Sequence, residues 1–349
     1  MLPISPLLKK TFGRRPIMKG VHFAMKFAFE RAGFHWELRR NGDDQLGLWK
    51  ITFRKVPAHS VPGETPKRFI FVPGFGDTPL SWLTMLVMLK PVLSQNFDEL
   101  IVLDFPGFGG FLAEQTPFAS MDLLISSVED CFDTLKPHSI LGHSLGGWLA
   151  ANYASHCGEG IRPSAKLSAS GTRSKERYTG PASIICVDPS GVFGSEIRKE
   201  EWKGRFANSI DLGFDSYRKH IFKKEPFWFG AISGEIGVFL SKPEIVAFMK
   251  SIRDDHFIEH RLKHIRSQVW LLWGEEDTLV PSEWADAWLA GLHGDSGAAC
   301  TRAEAVLIKG AGHSPQVEKP AVTAVALTQM IQGKTPHFWG SRWWTVRTS

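Results

Sequence analysis

No uninterrupted apolar run of about 18 residues occurs in the chain, so the sequence predicts no membrane-spanning helix. Cysteine is scarce and scattered. Cys131, Cys157, Cys186 and Cys300 form no C-x-x-C pair and no disulfide framework, which points to thiols in a reducing compartment and hence a cytoplasmic location. None stands beside a candidate base, so a cysteine nucleophile is not expected. A compact apolar segment near the N-terminus, which a secretory signal needs, is also missing. Acid is absent from residues 1–29, where Lys9, Lys10, Arg14, Arg15, Lys19 and Lys26 stand. Those six cations account for the whole net charge of +5 and leave the rest near neutral. The basic pI therefore gives no sign of a nucleic-acid groove. Tyrosine is rare, three against 25 Phe and 13 Trp, an aromatic load suited to lining an apolar pocket. No internal repeat is visible.

What is present is a rhythm of strands and helices. Val21, Met25 and Phe29 recur at helical spacing, with Lys19, His22, Lys26 and Glu30 on the other face. Such a helix packs across the body of the protein or, on the sharper alternative, lies weakly on an anionic membrane surface. The tail around Phe338, Trp339, Trp343 and Trp344, with Lys334, Arg342 and Arg347, has a composition suited to lipid headgroups. Two strand-like runs flank Asn41-Gly42, a hairpin signal. Continuous apolar runs at 69–72, 100–103, 140–141, 184–187, 269–273 and 305–308 read as buried parallel strands. Between about 190 and 262 that rhythm stops, and aromatic-studded helical segments replace it.

Three loops carry chemistry. Gly142-His143-Ser144-Leu145-Gly146 follows an apolar strand and opens a helix, the context in which G-x-S-x-G holds a serine hydroxyl on a sharp, strained turn. The helix start offers the N–H of Leu145 to a developing oxyanion. Asp277 lies in a Gly-Glu-Glu-Asp loop after a strand, with Glu275 and Glu276 as local competitors, and His313 lies in Gly310-Ala311-Gly312-His313-Ser314-Pro315. Asp188 follows an earlier strand and reads first as a turn residue before Pro189. His143 neighbours the serine in sequence, yet adjacent side chains on such a turn point apart, so it reads as a support behind the site.

With Ser144, Asp277 and His313 in that chain order, the sequence resembles the α/β-hydrolase superfamily over about residues 33–333. The resemblance implies a mostly parallel sheet flanked by helices, with a helical cap inserted. The expected parts are a basic arm and helix at 1–32, a core at 33–190 and 263–333, a cap at 191–262 and a tail at 334–349. It also implies Ser144 as nucleophile, His313 as base and Asp277 as the acid that orients it. Asp188 stands where some relatives carry that acid instead. Pro73-Gly74-Phe75 matches the oxyanion loop, with Pro73 where histidine is usual, and places the second donor on the N–H of Phe75. The implied activity is hydrolysis of a carboxylic ester or thioester with an apolar acyl or aryl group, with no cofactor and no metal. A C–C bond hydrolase, an acyltransferase, a slow-turnover small-molecule receptor and a scaffold with a vestigial triad remain as alternatives.

Overall fold

Alternating large apolar residues on short strands need cover on both faces, and the chain supplies it with two sets of helices. The computed structural model describes residues 26–41, 44–53, 65–77, 79–108, 115–161, 178–211, 214–227, 242–293, 300–337 and 344–348, with positions 24, 112 and 229 besides. The first hairpin is β1 (His35–Asn41) and β2 (Asp44–Thr52), paired antiparallel with Asn41 opposite Asp44. The turn at 42–43 itself lies outside the described residues. There follow β3 (Arg68–Val72), helix α1 (Pro79–Asn96), β4 (Glu99–Asp104), helix α2 (Met121–Leu135) and β5 (Ser139–His143). Helix α3 (Leu145–Glu159) and β6 (Ser183–Val187) come next. After β6 the chain turns helical, with α4 (Glu196–Asp211), α5 (Phe214–Ile221), α6 (Pro243–Lys250) and two short 3-10 turns. It then returns through β7 (Gln268–Gly274), α7 (Ala285–His293), β8 (Ala303–Ile308), the single turn α8 (Pro315–Glu318) and α9 (Pro320–Ile331).

The strands form one sheet in the order β1-β2-β4-β3-β5-β6-β7-β8, and a ninth strand, β9 (Trp344–Thr348), closes its far edge. Pairing from β4 through β8 is parallel; β1, β2 and β9 run against their neighbours. The chain steps outward from β3 to β4 and then crosses back to β5. That reversal opens a crevice at the carboxyl ends of β3 and β5, where ligands settle in open α/β sheets.

The period of two divides the core. Ile70 and Val72 face one apolar cluster with Leu124, Val128, Trp148 and Trp288, so α2, α3 and α7 cover that side. Phe69 and Phe71 face the other, with Trp82, Leu86, Ala326 and Leu327 from α1 and α9. Trp202, Ile245, Phe248 and Phe257 join the first cluster, so the helical stretch after β6 is continuous with the core beneath it. Ser120 begins α2 as expected of a cap, its hydroxyl accepting the N–H of Leu123 at 3.3 Å. All four cysteines are free and buried, and burial pushes the Cys131 thiol up to about 11.

Both chain ends bear on the arm and tail set apart above. Residues 26–31 are helical, and Phe29 is wholly buried, its ring 4.9 Å from Phe34 and 4.7 Å from Trp49. That burial stabilises by roughly 1.5–3 kcal/mol as transfer energy, so the end of the apolar stripe is committed to the body. Val21, Met25 and the cations before Lys26 lie outside the described residues, as do Phe338, Trp339 and Trp343. Trp344 and Arg347 belong to β9, a strand the composition of the tail did not suggest. No helix among the described residues is long and apolar enough to cross a membrane.

Because β9 pairs with β8 along its whole length, its removal bares the backbone groups of a buried strand. A chain ending at residue 337 should fold, melt at a lower temperature and self-associate in light scattering. Unchanged melting with a monodisperse truncated chain would show the strand to be dispensable.

Candidate active site

Strand β5 ends at His143 and α3 begins at Leu145, so Ser144 must turn the chain by itself. It does so at φ 51° and ψ −115°, a conformation that side-chain-bearing residues rarely adopt. The surroundings fix it there. Its N–H donates to the Val187 carbonyl at 2.8 Å, and its carbonyl accepts from the N–H groups of Gly147 and Trp148. The turn closes only because two neighbours lack a Cβ. One on Gly146 would sit 2.1 Å from the Val72 carbonyl oxygen, and one on Gly142 would sit 2.2 Å from that of Gly146. The Ser144 hydroxyl makes no capping bond to α3. Ahead of Gly147, the N–H groups of Leu145 and Gly146 stand at the end of the helix that favours negative charge.

The loop after β3 passes close by, since a Cβ on Gly74 would come within 3.1 Å of the Ser144 Cβ. Phe75, Ser144 and Leu145 consequently line one cavity. Its other walls are Trp148 and Ser190, the residues Trp202, Phe248 and Ile252 from the helical stretch, and Leu279 with Val280. The Phe75 ring is held parallel to that of Phe248 at 6.0 Å and edge-on to Phe108 at 5.2 Å. The cavity is apolar except at the serines.

Asp277 and His313 meet although 36 residues apart. The loops after β7 and β8 bring His313 Nδ1 to 2.7 Å from Asp277 Oδ2, with both residues buried. A carboxylate oxygen accepts, so Nδ1 carries the hydrogen and Nε2 is left as the basic atom. Asp277 Oδ1 accepts the N–H groups of Leu279 and Val280 at 2.8 and 2.9 Å. Glu275 is exposed, and Glu276 pairs with Lys223 at the surface. Glu318 ties the histidine loop to the helical stretch. One of its oxygens accepts the N–H of Gly312 at 2.6 Å and the other that of Lys224 at 2.8 Å.

His143 and Asp188 occupy positions that spacing alone did not reveal. His143 Nε2 lies 2.9 Å from the carbonyl oxygen of His313, and Nδ1 lies 3.0 Å from Asp77 Oδ2. The ring is 5.2 Å from that of His313. It therefore couples the loop after β3 to the loop after β8, from the residue just before Ser144. Asp77 also accepts from the Ser81 hydroxyl and from Trp82 Nε1 at 2.8 Å. Its signal in the sequence was a carboxylate four and five residues before Ser81 and Trp82 at the start of a helix. Asp188 is completely buried, and a carboxyl oxygen of Asp188, one of Asp277 and a ring nitrogen of His313 lie within 4.8 Å of one another.

A mostly parallel sheet whose central strand delivers a serine at a strained turn, with a buried Asp–His pair on the loops after two later strands, has the layout of an α/β hydrolase. Residues 69–326 match the alpha/beta hydrolase family, and the chain belongs to it. A search of curated protein sequences finds no match. Among solved structures, a bacterial membrane phospholipase A is similar at TM-score 0.63 and 17% identity, over 93% of each chain. An esterase from Exiguobacterium antarcticum reaches 0.57 at 13% identity, over 85% of this chain and all of that one. The 2-hydroxy-6-oxo-6-phenylhexa-2,4-dienoate hydrolase of a Rhodococcus reaches 0.59 at 14%, over 86% of this chain and 99% of its own. At such identities the likeness shows the fold.

Asp77 supplies a test of how the loops are held. Burial pushes its carboxyl up, but the hydrogen bond and charge of His143 and the bonds from Ser81 and Trp82 outweigh it and bring the net shift down. A lowered folded-state value gives stability that is present above the unfolded value of about 3.9 and lost as pH falls through the folded one. Asp77→Asn should thus melt below the wild type at pH 7, with the gap closing below about pH 4. A gap independent of pH would show that the charge of Asp77 contributes nothing.

Proposed function

We propose that the chain is a serine hydrolase that cleaves carboxylic esters, thioesters included, through an acyl-enzyme on Ser144. One observation carries this reading: a strained serine that lines an apolar cavity directly follows His143, whose ring bonds the backbone of His313 in a buried Asp277–His313 pair. A serine hydroxyl is nearly inert at neutral pH unless a base takes its proton. His313 Nε2 is that base, and Asp277 fixes the tautomer that leaves Nε2 free and stabilises the imidazolium that forms. The attacked carbonyl carbon becomes tetrahedral. Its oxyanion is met by the N–H groups of Phe75 and Leu145, worth about 3 kcal/mol each by analogy with other such donors. His313 then protonates the leaving alcohol, and water, deprotonated in its turn, releases the acid.

Cavity walls of Phe75, Trp148, Trp202, Phe248, Leu279 and Val280 suit an acyl or aryl group without charge. The cavity is open on one side, and its free space of about 420 Å³ includes that opening. The helical stretch at 191–262 acts as a cap that supplies Trp202 and Phe248 to those walls. The names of the esterase and phospholipase neighbours agree with ester chemistry.

p-Nitrophenyl esters of graded chain length test the reading. Rates should be higher for uncharged apolar acyl groups than for charged ones, and Ser144→Ala should lower kcat on the order of 10³- to 10⁶-fold. Asp277→Asn should cost orders of magnitude in kcat with the fold intact. Retained activity in Ser144→Ala would refute the assignment of the nucleophile.

A further inference from the structure

Two carboxyl groups buried side by side cannot both ionise, because each like charge raises the cost of the other where water does not screen it. Asp188 and Asp277 form such a pair, completely and almost completely buried. Their surroundings decide which one holds the charge. Asp277 receives three N–H donors, from His313, Leu279 and Val280. Asp188 receives one, from Gly274 to Oδ1 at 2.8 Å, and its Oδ2 meets no donor. Three donors favour the anion on Asp277, and an oxygen without a donor favours a proton on Asp188. The other ionisable groups around Asp188 are His313 within the cluster and Glu318 farther away. Burial first, and then the charge of Asp277, push the Asp188 carboxyl well above the usual carboxylate range.

We propose that Asp188 is a positioning residue of this site, a neutral carboxylic acid whose hydroxyl donates a hydrogen bond to Asp277. Its place in catalysis rests on the reading of Ser144, Asp277 and His313 above. As a neutral donor it adds a further hydrogen bond to the Asp277 carboxylate without adding a second negative charge. Its backbone shows how tightly the position is built. Asp188 takes φ 44°, and its N–H donates to the Leu272 carbonyl at 2.8 Å. The sharp turn after β6 therefore aims the acid at the end of β7, where Gly274 and Asp277 stand.

Two substitutions separate a neutral donor from an ion. Asparagine tolerates the left-handed backbone, can accept from Gly274 with its oxygen and can donate to Asp277 with its amide. Asp188→Asn should keep kcat/KM within about threefold and leave the pH profile in place, since the donor is kept. Glycine accepts the same φ but deletes the group. Asp188→Gly should lower kcat on the order of 10- to 100-fold with KM little changed, as expected for a misplaced catalytic group. Its acid limb should move to higher pH, because an Asp277 without its donor attracts a proton on His313 more strongly. Activity lost equally in both variants, or unchanged in both, would overturn the proposal.

A spectroscopic arm needs no turnover and no variant that folds poorly. In Ser144→Ala protein labelled with carbon-13 aspartate, infrared spectra at neutral pH should show the carbonyl stretch of a protonated acid. That band should vanish when Asp188→Asn is added. Its absence before that change would overturn the proposal even if esterase activity is found. Its presence in a protein that cleaves no ester would instead leave the acid in place and refute the proposed reaction.

Discussion

The structure depends on one close approach, that of α3 to the sheet at Ser144. Atoms of Gly146 lie against the Val72 carbonyl, and Gly142 lies against Gly146, with no room for a Cβ at either glycine. That contact forces the serine to positive φ and sets its hydroxyl above the ends of β3 and β5. Strain of this kind costs on the order of 1–3 kcal/mol and persists only where neighbours over-determine the backbone. Here they do so through the hydrogen bonds of Ser144 with Val187, Gly147 and Trp148.

Around that point the loops are braced against one another, not only against the sheet. His143 joins the Asp77 loop to the His313 loop, Glu318 joins the His313 loop to the chain at Lys224, and Asp188 joins the turn after β6 to Gly274. Each brace is a buried or half-buried polar group with specific partners. Such networks cost much when half satisfied, so they hold geometry well when complete. The serine–histidine–aspartate triad proposed for this site would tolerate little displacement, and these braces limit it.

The fold was largely legible because its signals are local. Apolar runs marked β3 to β8, Asn41-Gly42 marked the hairpin between β1 and β2, and Ser120 marked the start of α2. Ser144, Asp277 and His313 were legible for the same reason, each sitting in a short loop directly after a strand. What escaped depends on distant partners. β9 is a strand because β8 offers it an edge, not because of its own composition. Asp188 read first as a turn residue before Pro189 and second as an alternative acid, and the fold brings it within 4.8 Å of both Asp277 and His313. Asp77 carries no motif of its own, and its role comes from His143, Ser81 and Trp82 converging on it in the fold.

Covalent trapping tests the central claim most directly. A fluorophosphonate should label the protein once, and peptide mapping should place the adduct on Ser144. His313→Ala should slow the labelling by orders of magnitude without unfolding the chain, since the base that activates the hydroxyl is gone. An adduct on another residue, or a rate indifferent to His313, would contradict the account.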